Sequence, residues 1–339
     1  MPVFDPNGAA TEDSGIFGFF FTPEESALVL IPVPWEATAS YGSGCSRAPE
    51  AIFKASMFVE LFSFDLRNFF EKGISLAPEK PMIRTLNKKA RKAAEPIIKK
   101  GGLLKSDSKL VNNAHSAYMS CKRANEEIKA EVATWIGAGK KVGIIGGDHS
   151  VTLGSLAAHT EKYPNLGVLQ IDAHADLRAA FEGLTYSHAS VMYNVLKETN
   201  IKKLVQVGVR GFCEEEFIRI TGSNNRVVTY FDSEIQKNLF EGVKWAELCD
   251  GIISDLPEQV YISFDVDGLD PKLCPGTGTP IPGGLDYQQA IFLLKKLVSA
   301  GKKVVGFDLV EVSPLKNNDW DAILAAHLLY QLCGIALVS

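Results

Sequence analysis

Acids and histidines gather at three places in this sequence: Gly146-Gly147-Asp148-His149-Ser150, Asp172-Ala173-His174-Ala175-Asp176 and Asp265-Val266-Asp267-Gly268. Alternate residues of an extended chain point the same way, so Asp172, His174 and Asp176 can converge, as can Asp265 and Asp267. With His149 they would face four carboxylates and two imidazoles toward one point. Packed without a cation, such like charges push protons onto some of the acids at considerable cost, whereas two divalent ions balance all four carboxylates. Taken singly, each cluster has an ordinary reading, because Asp after a strand commonly caps a helix and a lone His near an apolar run is usually structural. The three together point to a metal site. A calcium loop starting at Asp265 is excluded, since its twelfth position is Gly276, where a bidentate Glu is needed.

The elements that must position these clusters are short apolar runs rich in Val and Ile, at 27–31, 142–145, 167–171, 204–209, 227–231, 260–264 and 304–307. Each reads as a strand buried on both faces. Helical periodicity lies between them, over 114–135, 151–159, 287–298 and 322–332, and this alternation predicts a mainly parallel sheet with helices on both sides. The expected architecture is therefore an α/β protein, a three-layer α/β/α sandwich. In such sheets ligands bind beyond the carboxyl ends of the strands, where all three clusters fall. One domain is expected, with an N-terminal arm over about residues 1–26 and a variable insert over about 60–110. The basic helical part of that insert, 88–100, reads as a solvated face.

Composition narrows the partners. A formal charge of −5 over 339 residues gives no basic field for nucleic acid or an anionic membrane, so a small-molecule substrate is expected. Six scattered cysteines, none in C-x-x-C spacing, fit a reduced, cytoplasmic setting. The acidic start around Asp5, Glu12 and Asp13 lacks the positive leader of a signal peptide, and no apolar stretch reads as long enough to span a bilayer. The apolar run 16–21 is expected to pack on the body or on a neighbouring subunit.

The motifs Gly-Gly-Asp-His-Ser (146–150), Asp-Ala-His-Ala-Asp (172–176) and Ser-Phe-Asp-Val-Asp-Gly-Leu-Asp-Pro (263–271) resemble the three metal signatures of the ureohydrolases, the arginase and agmatinase family. The stretches Pro-Gly-Thr-Gly-Thr-Pro (275–280) and Asp-Leu-Val-Glu-Val-Ser-Pro (308–314) follow in family order. The resemblance implies an arginase-like fold and two divalent ions, Mn2+ before Ni2+. One ion would lie on His149, Asp172, Asp176 and Asp265, the other on Asp172, His174, Asp265 and Asp267, with Asp172 and Asp265 bridging. It further implies that Glu311 orients a guanidinium, that Asp176 relays a proton to the leaving nitrogen, and that His188 exchanges protons with solvent. Urea and an amine would be the products, and a trimer or hexamer the assembly. A formal count of four carboxylates, two divalent ions and one hydroxide leaves the centre slightly negative, which favours a cationic substrate.

The resemblance is closer to agmatinases than to arginases. After Val209-Arg210-Gly211 the chain has Cys213 where arginases place an acid, so recognition of an α-amino group is not expected, although Glu216 offers a polar contact. Arg178 would suit a substrate carboxylate, as in a guanidino acid or formiminoglutamate. Trp35 and Tyr41 stand in the family's entrance loop, where they would narrow the pocket for a small substrate, even guanidine, or pack the loop. Arginase or formimidoylglutamase activity, a one-zinc deacetylase of the same fold and a non-catalytic homologue are the alternatives.

Overall fold

A computed structural model describes residues 5–11, 13–66 and 68–339; Glu12 of the acidic start lies outside the described residues. Eight strands, β1 (Leu28–Pro32), β2 (Ile74–Leu76), β3 (Lys141–Ile145), β4 (Gly167–Ile171), β5 (Lys203–Val209), β6 (Val227–Phe231), β7 (Gln259–Asp265) and β8 (Lys303–Val310), form one sheet in the order β2-β1-β3-β8-β7-β4-β5-β6. Every pairing between them is parallel. Seven of these strands are the apolar runs of the sequence. The eighth, β2, has only three residues, too few for periodicity to register, and is fixed by pairing Ile74 with Leu28 at the sheet edge.

Among the described residues, ten α-helices join the strands: α1 (Ala48–Ser56), α2 (Pro81–Ile98), α3 (Ser108–Gly137), α4 (Thr152–Lys162), α5 (Val191–Glu198), α6 (Glu214–Thr221), α7 (Asp232–Phe240), α8 (Trp245–Ser254), α9 (Tyr287–Ser299) and α10 (Trp320–Val338). The two-residue period of the strands sorts them into layers. Leu28, Leu30, Leu169, Ile171, Ile262 and Phe264 point into one core, shared with buried residues of α1 and α7 to α10. Val29, Ile31, Val142, Ile144, Val168 and Tyr261 point into the other, shared with α2 to α6. Fully burying such side chains stabilises the fold by roughly 1.5–3 kcal/mol each. The sandwich of three layers is thus written in the alternation of each strand.

Within 60–110, α2 starts on Pro81 and buries Ile83, Leu86, Ala90, Ala94 and Ile97, while Lys88, Lys89 and Lys92 stay in water. Near the N-terminus, Ile16, Phe17 and Phe19 are buried in the first core, and Phe17 meets Tyr330 edge to face. One expectation needs correcting. Helix α10 has 19 residues and is long and apolar enough to cross a bilayer, but 78% of its most apolar window is buried in this structure. It is apolar all round because it is the central helix of the first core.

Candidate active site

Four neighbouring strands, β3, β8, β7 and β4, end side by side and deliver the clusters to one rim. After β3 the chain turns through Gly146 and Gly147 into a single 3-10 turn, His149–Val151, with Asp148 accepting the N–H of Ser150 at 3.1 Å. A Cβ on Gly147 would collide with the Trp35 backbone, so only glycine fits there. That close approach lets the Asp148 N–H donate to the Trp35 carbonyl (2.8 Å) and the Glu311 N–H to the Gly147 carbonyl (2.8 Å). Replacing Gly147 with Ala should destabilise the protein by about 1–3 kcal/mol, as overpacking does. A thermal melt unchanged within a degree would contradict it.

After β4, Asp172 lies fully buried, its Oδ1 taking the N–H of His174 at 2.6 Å and its Oδ2 the side-chain amide of Gln170 at 2.7 Å. After β7, Asp265 Oδ1 accepts the Asp267 N–H at 2.9 Å and so closes the 3-10 turn Val266–Gly268. His149 Nδ1 then faces Asp176 Oδ2 at 3.0 Å, Asp172 Oδ2 at 3.1 Å and Asp265 Oδ2 at 3.4 Å. His174 Nδ1 faces Asp267 Oδ2 at 3.0 Å and Asp172 Oδ1 at 3.7 Å. Two donor groups result, His149 with Asp172 and Asp265, and Asp172 with His174 and Asp267. Asp172 belongs to both, one oxygen turned to each imidazole.

The electrostatics show what these groups lack. Burial raises the Asp265 carboxyl well above its usual range, and the charges of Asp267 and Asp172 add to it. Burial and then the Asp172 charge push Asp176 up to about 7. Burial opposes a charge on His149 and His174, but the surrounding carboxylates outweigh it, holding His149 well above its ordinary value and His174 up to about 12. His149 Nδ1 is buried with no hydrogen-bond partner although three carboxylate oxygens surround it. An orphaned nitrogen among acids is a donor arrangement that fits divalent cations, and oxygen-rich ligation with two imidazoles suits such ions. Asp176 (φ 54°) and Glu311 (φ 62°) both hold the left-handed conformation, a strain tolerated where the surroundings fix a functional side chain.

Glu311, at the end of β8, accepts the His149 N–H on Oε1 at 2.7 Å. Its Oε2 lies 3.3 Å from where a Gly278 Cβ would stand, and Gly42 crowds Gly278 in turn, so the loop carrying Tyr41 borders Glu311. Tyr41 itself is 74% exposed. Trp35 is 1% exposed and belongs to the second core, so it packs the loop. Glu216 is also withdrawn: its oxygens accept the N–H groups of Leu177 and Cys213, both at 2.9 Å, which fastens the Asp176 loop to the start of α6. A contact to substrate is not where the fold spends it. Arg178 lies 3.6 Å from Glu216 and 5.2 Å from the Phe181 ring centre. His188 is half-buried, its N–H donating to Thr38 Oγ1 at 3.1 Å, with Nδ1 3.4 Å from the same oxygen; burial lowers its pKa.

Sequence reasoning gave no role to the residues behind the clusters. His149 Nε2 meets Ser263 Oγ at 2.8 Å, and Ser263 donates to the buried Asp308 at 2.9 Å. Gln206 donates to Gln170, and Thr229 to Gln206. The available signal was polar residues inside otherwise apolar strands, which cost too much to bury unless they are hydrogen-bonded.

Comparison with known proteins agrees with this geometry. The sequence model of the arginase family matches residues 26–334. An N(1)-aminopropylagmatine ureohydrolase of Thermus thermophilus is 36% identical over 94% of both chains. An agmatinase of Chromobacterium violaceum is 36% identical over 58% of each. The solved proclavaminate amidino hydrolase of Streptomyces clavuligerus superposes with a TM-score of 0.72 at 25% identity, covering 96% of this chain and 98% of that one. A likeness running from the first strand to the last helix makes this chain a member of the arginase family, and membership implies a binuclear divalent metal centre.

Proposed function

We propose that this chain hydrolyses the guanidinium of an agmatine-type substrate, N1-aminopropylagmatine foremost, to urea and an amine. Two divalent ions, Mn2+ before Ni2+, would be held by His149, Asp172, Asp176 and Asp265 and by Asp172, His174, Asp265 and Asp267. The observation that carries this reading is the pair of donor groups sharing Asp172 beside the Glu311 carboxylate. The near-full-length likeness to an aminopropylagmatine enzyme, against a shorter match to agmatinase, supports the longer substrate.

When bound, the two ions supply Lewis acidity and bring the pKa of water down toward neutrality. The chain's own groups do the rest. Glu311, with Oε1 on the His149 N–H, presents Oε2 to the guanidinium, a charge-assisted contact that fixes the plane of the substrate. Asp176 hands a proton to the departing nitrogen. Thr38 donates its hydroxyl proton to Asp148 Oδ2 at 3.3 Å and, with Ser187, holds the imidazole of His188, the group that exchanges protons with solvent. Arg178 already faces Glu216 and Phe181, which weighs against a guanidino acid or formiminoglutamate. The exposed Phe58, Phe62 and Phe64 support a homo-oligomer, trimer or hexamer, and six free thiols suit a reduced cytoplasmic setting.

The test is urea release from N1-aminopropylagmatine, agmatine, guanidinobutyrate, arginine and guanidine with Mn2+ or Ni2+. N1-aminopropylagmatine should be turned over best. No urea from any of them by protein carrying two ions would end the proposal, and formamide from formiminoglutamate would replace it.

A further inference from the structure

We infer that Arg210 is a positioning residue for one half of the proposed metal centre: it holds Asp267 and the wall beside His174, and the ion on that side depends on it. The inference rests on the binuclear reading above. Arg210 follows β5, and its guanidinium reaches four backbone carbonyls on three segments. Nε donates to Ile281 (3.1 Å), Nη1 to Gly208 (3.0 Å), and Nη2 to Asp267 (2.7 Å) and Leu269 (3.1 Å).

The cradle is built for this group. Gly208, Gly283 and Gly284 all have φ between 95° and 103°, where only glycine sits without strain. A Cβ on Gly284 would stand 2.8 Å from Nη2, and one on Gly283 would stand 3.4 Å from the Arg210 Cδ. Arg210 is half-buried, close enough to Asp270 for the two charges to interact, and its fork of fixed donors satisfies four carbonyls in a way that a point charge cannot.

The consequence falls on one side of the site. Asp267 is pinned at its N–H by Asp265, at its carbonyl by Arg210 and at Oδ1 by the Ala173 N–H (3.0 Å), which leaves Oδ2 turned to His174 Nδ1. Ile281, whose carbonyl Arg210 holds, packs with Gly211 against the His174 ring; a Gly211 Cβ would lie 2.5 Å from Ile281 Cδ1 and 2.8 Å from His174 Cδ2. The Arg210 hydrogen bonds reach none of His149, Asp176 and Asp265.

The experiment compares Arg210→Lys, Arg210→Met and Gly284→Ala with the unmodified chain after removal of metal and titration with Mn2+. It reads ions bound per chain, the affinity of each and the electron paramagnetic resonance spectrum. The unmodified chain should bind two ions and show an exchange-coupled pair. Each variant should keep one tight ion, bind the other about 10–100-fold more weakly, and show a single-ion spectrum until Mn2+ is in excess. If Arg210→Met does not fold, the other two variants decide. Two ions at unchanged affinity, or equal weakening of both, overturns the inference. Fewer than two ions on the unmodified chain would instead overturn the binuclear reading itself.

Discussion

Asp172→Asn should abolish turnover, by more than about a thousandfold, and bring bound metal from two ions to fewer than one. Asp172 is the residue that both donor groups contain, with Oδ2 3.1 Å from His149 Nδ1 and Oδ1 3.7 Å from His174 Nδ1. Losing its charge should therefore weaken both halves, and without the ions water is far too weak an acid to supply hydroxide at neutral pH. Stability supplies a second readout. Ligand at about a thousand times its Kd stabilises a native protein by roughly 4 kcal/mol, so a chelator should lower the melting temperature of the unmodified chain and leave that of Asp172→Asn almost unchanged. A variant that keeps two ions and its activity would refute the donor assignment. Asp265→Ala tests the second proposed bridge in the same way. Its Oδ1 is already committed to the Asp267 N–H, so the loss there would combine a proposed ligand with the cap that shapes the Asp267 turn.

Glu311→Gln separates binding of substrate from binding of metal. Gln can still accept the His149 N–H through its carbonyl oxygen, so the turn at His149 and both ions should survive. On the proposed reading, the change would remove the negative charge that faces the guanidinium, and an amide N–H in its place would oppose the substrate's own donors. The expected result is a fall of about 10²–10³ in kcat/KM, with metal content unchanged. Loss of an ion in this variant would make Glu311 a ligand, and unchanged kinetics would remove it from the site. Burial, reinforced by the Asp148 charge, holds the Glu311 carboxyl well above its usual range in the metal-free protein. A cationic substrate arriving beside it restores the reason to ionise.

Much of this is legible in the sequence. Strands buried on both faces must be continuous apolar runs, so most of the sheet stands out in the sequence; β6 was also an apolar run but is a half-buried edge strand, and with parallel strands every acidic cluster has to emerge at one rim. The spacing of Asp172, His174 and Asp176 named side chains that lie close together, although a turn closed by the His174 N–H on Asp172 and the left-handed Asp176 place them there and simple alternation along an extended chain does not. The tertiary structure decided what depends on other segments. For Trp35 the sequence left pocket wall and loop packing both open; it is core, because the glycine at 147 brings two loops into contact around its carbonyl. Glu216 looked available to a ligand and is consumed by two backbone N–H groups, one of them 39 residues away in sequence. Arg210 carried no sequence signal at all, since its four acceptors are carbonyls, and a backbone carbonyl is the same at every residue. Side-chain chemistry and period are properties of the local chain; which oxygen a buried donor finds is settled only when distant segments meet.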